Sequence, residues 1–141
     1  MAGLVGGDAQ RGEARAAVVV LREREPAVDL LGYYPDLSAF KAMEEVAKIV
    51  DQKAEDFLDV MDANVTQSWL MARAVTKQML AQGTSPSGNA GKIVLMSSAR
   101  GLLGHPAGYT AYCSSKSAID GITKALGCEL GPTGITVNAI A

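Results

Sequence analysis

Histidine, cysteine and tryptophan are scarce in this chain, with one His, two Cys and one Trp among 141 residues. A single histidine, His105, and the lack of any Cys-x-x-Cys leave no recognisable metal-ligand set. Cys113 and Cys128 fall in one predicted helix, fifteen positions apart. At about 1.5 Å per residue they stand far beyond the roughly 7 Å limit for a disulfide, so no intrachain bridge is expected. Charge of one sign is missing as well. The net charge is −2 and its contributors are interspersed, which offers no electrostatic footprint for nucleic acid or an anionic membrane. No apolar run approaches the roughly 18 residues of a membrane span. Met1 is followed by a Gly-rich, mildly charged stretch, not by the basic and apolar regions of a signal peptide. These absences describe a soluble, cytoplasmic protein whose partners are small molecules or proteins.

What is present is apolar residue, 48% of the chain, enough over this length for one substantial core. Residues 1–37 receive no assignment. Within them Ala16-Ala17-Val18-Val19-Val20-Leu21 suits a short buried strand or the continuation of a helix, and both stay open, with Arg22 to Pro26 read as a breaker. Residues 38–141 read as one partial domain. Pro35-Asp36-Leu37-Ser38 looks like a helix start, and Phe40, Met43, Val46, Ile49 and Val50 at helical spacing predict a helix over about 38–50. A long helix over about 55–82 follows, apolar on more than one face, in which Trp69 and the methionines 61, 71 and 79 are expected to pack.

Gly83 to Gly91 carries every turn signal, and Lys92-Ile93-Val94-Leu95-Met96-Ser97-Ser98 reads as a strand buried on both faces. The Gly-rich stretch 101–108 is a connection to a helix over about 109–130, stopped by Gly131-Pro132-Thr133-Gly134. Ile135 to Ala141 is a second buried strand. Helix, loop and buried strand in that order predict a parallel α/β sheet.

Tyr112 and Lys116 stand four apart on the last helix and so share one face. A phenol, with an ordinary pKa of about 10, is a weak acid at neutral pH, but a neighbouring ammonium stabilises its anion and suits it to proton exchange with an alcohol or carbonyl. Upstream, the strand ends in Ser97-Ser98, where open α/β sheets place their sites. Alternation sends the two hydroxyls to opposite faces, so at most one faces the helix of Tyr112. Read blandly, the helix pair is a solvated surface pair and the serines form a turn.

The stretches Gly91 to Ser98, Tyr109 to Ala118 and Gly134 to Ala141 resemble three successive signatures of the short-chain dehydrogenase/reductase family. Asp56 to Val65 resembles a fourth, that family's helix with an active-site asparagine. The resemblance implies a Rossmann-like, doubly wound parallel sheet, and a nicotinamide-dependent oxidoreductase acting between a carbonyl and a secondary alcohol. It implies that Tyr112 is the acid/base and that Lys116 stabilises its anion and hydrogen-bonds the nicotinamide ribose. Ser98, more than Ser97, would polarise the substrate oxygen. Asn64 would be the helix asparagine whose backbone distortion holds a water linking the lysine to solvent. NAD or NADP would be the cofactor, held here by Tyr112 and Lys116. Tyr109 precedes a cysteine at i+4 and is expected only to pack at the helix start. His105 is expected to be an exposed residue without a partner. By the same resemblance, helices 55–82 and 109–130 would pair with those of a second subunit in a homodimer or homotetramer.

Several parts of the family's pattern are missing. No Thr-Gly-x-x-x-Gly-x-Gly turn is found, and the glycines of Gly3-Leu4-Val5-Gly6-Gly7-Asp8 do not fit its spacing. Leu37-Ser38-Ala39-Phe40 stands near the place of an expected Asn-Asn-Ala-Gly segment. The expectation is an incomplete sheet, open at both edges. Two readings follow: the catalytic portion of an oxidoreductase, or an inactive remnant that serves only as an interaction and oligomerisation module.

Overall fold

The computed structural model describes residues 18–24, 27–32 and 47–141. The expectations placed on residues 3–8 and 37–40, and on the first part of the 38–50 helix, lie outside them.

A four-stranded sheet has the order β2-β1-β3-β4. Its centre of gravity is the unit formed by strand β3 (Gly91–Met96), helix α3 (Thr110–Leu130) and strand β4 (Ile135–Ile140). β3 and β4 pair in parallel, with Gly91 opposite Ile135 and Met96 opposite Ile140. A parallel pair needs a crossover, and α3 supplies it. This is the expected incomplete Rossmann-like α/β arrangement. Strands β1 (Val18–Arg24) and β2 (Ala27–Gly32) extend the sheet as a hairpin, β1 running antiparallel to both β2 and β3. The strand reading of Val18 to Leu21 is therefore the right one of the two left open. The supposed breaker at Arg22 to Arg24 continues β1 instead, because its backbone is paired to β2 from Asp29 to Ala27.

Helix α1 (Ala54–Met61), a single turn of π-helix (Asp62–Thr66) and helix α2 (Gln67–Gln82) form the predicted long helix. Lys53 offers α1 no side-chain cap, but Glu55 and Asp56 place negative charge in its first turn, where the helix dipole favours it. The core is Met79 of α2, Ile93 and Leu95 of β3, Ile119 and Leu130 of α3, and Ile135 of β4. Gly91 has no side chain because the Met79 thioether fills that space.

Three expectations need correction. Where it is described, the 38–50 segment is not helical: the Lys48 carbonyl accepts from Asp51 N at 2.9 Å and Gln52 N at 3.0 Å, closing a turn that leaves Ile49 and Val50 exposed. Strand β3 ends at Met96, and Ser98 instead caps a 3₁₀ turn over Ala99–Gly101. β4 is not buried on both faces. Only Ile135 is fully covered, since among the described residues β4 pairs with β3 alone and forms an edge. The stop after α3 is as expected: Gly134, in the left-handed region at φ 81°, ends a 3₁₀ turn over Gly131–Thr133.

Candidate active site

Lys116 projects from the second turn of α3, and its Nζ donates to the carbonyl of Met96 at 2.9 Å. Met96 is the last residue of β3, so the amine sits at the carboxyl ends of the two parallel strands, where open α/β sheets bind ligands. Burial pushes the Lys116 amine below its ordinary pKa, because its charged form is incompletely hydrated. One turn earlier on the same face is Tyr112, with Nζ 5.6 Å from its ring centroid, within cation–π range. The spacing argument is met: the helix brings phenol and amine together. Tyr112 is half-buried, and its hydroxyl has no hydrogen-bond partner among the described residues.

The two serines divide as strand alternation requires. Ser97 is buried and donates from Oγ to the main-chain carbonyl of Lys116 at 3.3 Å. Its hydroxyl is committed to holding strand and helix together. Ser98 is half-buried and its Oγ accepts from Arg100 N at 3.2 Å. That leaves the Ser98 proton without an acceptor among the described residues. Ser98 makes no hydrogen bond to Tyr112 or Lys116; what brings its turn onto α3 is Gly101. A Cβ there would lie 3.0 Å from the main-chain carbon of Lys116 and from Asp120 Oδ2, and Ser117 Oγ donates to the Gly101 carbonyl. The one sequence signal of this close approach is a glycine three residues after the serine.

Asn64 lies at the middle of the π turn, where Gln67 N reaches back to Asp62 O across five residues. Such turns disturb the regular ladder and recur at functional sites. The Asn64 carboxamide donates to Ser115 Oγ at 3.0 Å, and the Ser115 hydroxyl donates to the Tyr112 carbonyl at 2.8 Å. Ser68 Oγ donates to the Asn64 carbonyl at 2.7 Å. Neither serine was a sequence candidate, since nothing local distinguishes them from other helical serines.

The remaining candidates resolve differently. Tyr109 stands at the start of α3, and its ring meets that of His105 edge-on at a centroid separation of 4.7 Å. His105 is therefore not partnerless: its Nδ1 also accepts from Ala107 N at 3.2 Å. Met79 packs as expected, but Trp69 is 45% exposed, with Arg73 5.6 Å from its ring centroid. Cys113 and Cys128 are both free. No group of metal-binding side chains occurs among the described residues, and no helix there is long and apolar enough to cross a membrane.

The Lys116 amine at the carboxyl end of β3 has N–H donors beyond the one given to Met96, the Tyr112 ring lies 5.6 Å from it, and the Ser98 hydroxyl follows two residues after Met96. They fit the hydroxyl-rich ribose of a nicotinamide nucleotide and the single oxygen of a carbonyl or alcohol.

Residues 9–141 match the family model described as short chain dehydrogenase. An uncharacterised oxidoreductase of Mycobacterium tuberculosis is 43% identical over 117 residues, which cover 83% of this chain and 42% of that protein. A solved short-chain type dehydrogenase/reductase from Mycobacterium marinum is similar with a TM-score of 0.63 and 34% identity, over 69% of this chain and 38% of that one. A 4-hydroxyisoleucine dehydrogenase complexed with NADH has a TM-score of 0.60 and 31% identity, over 69% of this chain and 40% of its own. The matched region thus spans well under half the length of each of these relatives.

Proposed function

Because the chain belongs to the short-chain dehydrogenase/reductase family, we propose that it is the catalytic portion of an NAD- or NADP-dependent oxidoreductase interconverting a carbonyl and a secondary alcohol. The observation that carries this reading is the Lys116 amine at the carboxyl end of β3, 5.6 Å from the ring centroid of Tyr112, whose hydroxyl has no partner among the described residues. A bound dinucleotide would supply the hydride chemistry. In the direction of reduction, Tyr112 gives its phenolic proton to the carbonyl oxygen; in oxidation it takes the proton back. Lys116 stabilises the phenolate through its positive charge and offers further N–H donors to the ribose hydroxyls. Ser98 donates its free proton to the substrate oxygen and fixes its position. Asn64, in its distorted turn, holds a water that connects Lys116 to solvent.

The relative complexed with NADH supports a nicotinamide cofactor. A second copy of the chain is the proposed partner, through the helices spanning 55–82 and 109–130. In support, Leu58, Trp69, Leu70 and Leu80 are large apolar side chains left exposed on α1 and α2. The free thiols of Cys113 and Cys128 suit the reducing cytoplasm.

The test is titration of the chain with NADH and NADPH, followed by reduced-nicotinamide fluorescence. Saturable binding that is lost in Lys116→Ala supports the enzyme. No binding at millimolar cofactor leaves the isolated chain as an interaction module only.

A further inference from the structure

The buried polar side chains among the described residues are three serines, Ser68, Ser97 and Ser115. Ser115 is the most enclosed, with no exposed surface, and it is used at both ends. Its hydroxyl donates to the Tyr112 carbonyl one turn back at 2.8 Å and accepts from the Asn64 carboxamide, 51 residues away in sequence, at 3.0 Å. A helical serine that bonds only its own backbone is ordinary. One that also receives a donor from another helix, in a site closed to water, fixes two elements to each other.

The element it fixes is the one that needs fixing. Tyr112 lies in the first turn of α3, and Tyr109 at the N-cap makes no side-chain cap bond. The first N–H groups of a helix have no intrahelical acceptor, so an uncapped first turn frays readily. The anchor on the other side is itself secured, because Asn64 is held by its carboxamide to Ser115 and by its carbonyl to Ser68, at 2.7 Å. Hydrogen bonds in such a chain polarise and strengthen one another.

We propose that Ser115 is a positioning residue, holding the Tyr112 turn of α3 against the π turn at Asn64 and so aiming the phenol at the substrate oxygen. This rests on the reading of Tyr112 as proton donor. A reacting group displaced by about 1 Å loses rate by roughly 100-fold, which gives the link its consequence.

The experiment needs no cofactor, so its failure is separable from a failure of that reading. The chain is labelled with ¹³C in its tyrosine rings, and Tyr112→Phe assigns the Tyr112 signal. Ser115→Ala and Asn64→Ala remove the same bond from opposite ends. Each is expected to shift and broaden the Tyr112 signal and to speed amide exchange over 110–113 by about tenfold, while residues 122–126 keep their rates. The double variant goes no further than Ser115→Ala, which already removes both bonds of that hydroxyl, and Ser115→Thr, which keeps the hydroxyl, restores the native signal. The proposal is overturned if the Tyr112 signal is unchanged in a folded variant, or if all tyrosine signals and the whole of α3 respond equally. Should Ser115→Ala not fold, Asn64→Ala decides alone, since Asn64 is only half-buried.

Discussion

The hydroxyl of Ser97 donates to the main-chain carbonyl of Lys116 at 3.3 Å, pinning the end of β3 to the helix that carries the proposed proton donor. Ser97 is buried, so removing its hydroxyl leaves polar atoms poorly matched. Ser97→Ala is expected to lower stability by about 1–2 kcal/mol, read from the urea midpoint. A Ser98→Ala variant, which keeps that bond to the helix, should lose less. Equal losses would contradict the division of roles between the two serines.

Replacing Tyr112 by Phe removes one hydroxyl that has no partner among the described residues. Stability should change little, and nicotinamide fluorescence titrations should stay close to the parent's, because Lys116 still offers its donors to the ribose. Turnover of any carbonyl substrate should fall by roughly 100- to 10,000-fold, the usual contribution of a positioned acid. Retained turnover would remove Tyr112 from the mechanism.

Lys116 carries a pH dependence with a definite sign. Burial lowers its pKa in the folded chain below the ordinary lysine value of about 10.4. Below the folded pKa both states are charged and the burial penalty is full. As pH rises from there toward the ordinary value, the folded state loses its proton first and the penalty is relieved. The parent chain should therefore gain stability relative to Lys116→Met as pH increases through that window. Urea midpoints measured for both proteins at pH 7 and pH 10 read it directly. A gap that stays constant, or widens in favour of the variant, contradicts the assignment.

Two glycines should respond oppositely to alanine. At Gly101 a Cβ would press within 3.0 Å of the Lys116 backbone, so Gly101→Ala should cost about 1–3 kcal/mol and push the Ser98 turn off the helix. At Gly121, inside α3, a Cβ meets nothing within 4 Å. Gly121→Ala should add about 0.5–1 kcal/mol, because alanine forms helix more readily. Thermal melts of the two variants compare them, and a Gly101→Ala variant that is not destabilised would show that the approach at Gly101 is not tight.

Sedimentation velocity checks the proposed assembly. Trp69 and Leu70 are 45% and 41% exposed on α2, so placing Glu at both positions should convert a dimer or tetramer to monomer. A parent chain that is already monomeric at tens of micromolar would refute the proposal.

Much of this molecule was legible in its sequence because the deciding interactions are local. Helical spacing places Tyr112 and Lys116 on one face, the turn residues of 83–91 and 131–134 bound the β3–α3–β4 unit, and that unit carries the family's signatures. The π turn at Asn64 was anticipated through the resemblance alone, since apolar periodicity runs through it without interruption. Residues that depend on distant partners were not legible. Periodicity favoured helix at Ile49 and Val50, but a turn at Lys48 won, its amine donating to the Pro106 carbonyl at 2.6 Å.

Sequence by itself determined which side chains can do chemistry and which helical face or strand end bears them, because a spacing of two or four residues is set by the backbone's own geometry. Only the tertiary structure decided which serine is sealed and which is free, that Gly101 must lack a side chain, and that Ser115 joins Asn64 to the Tyr112 turn. Each of these depends on two elements approaching to hydrogen-bond distance across 16 to 51 residues, a separation at which no local pattern specifies the partner.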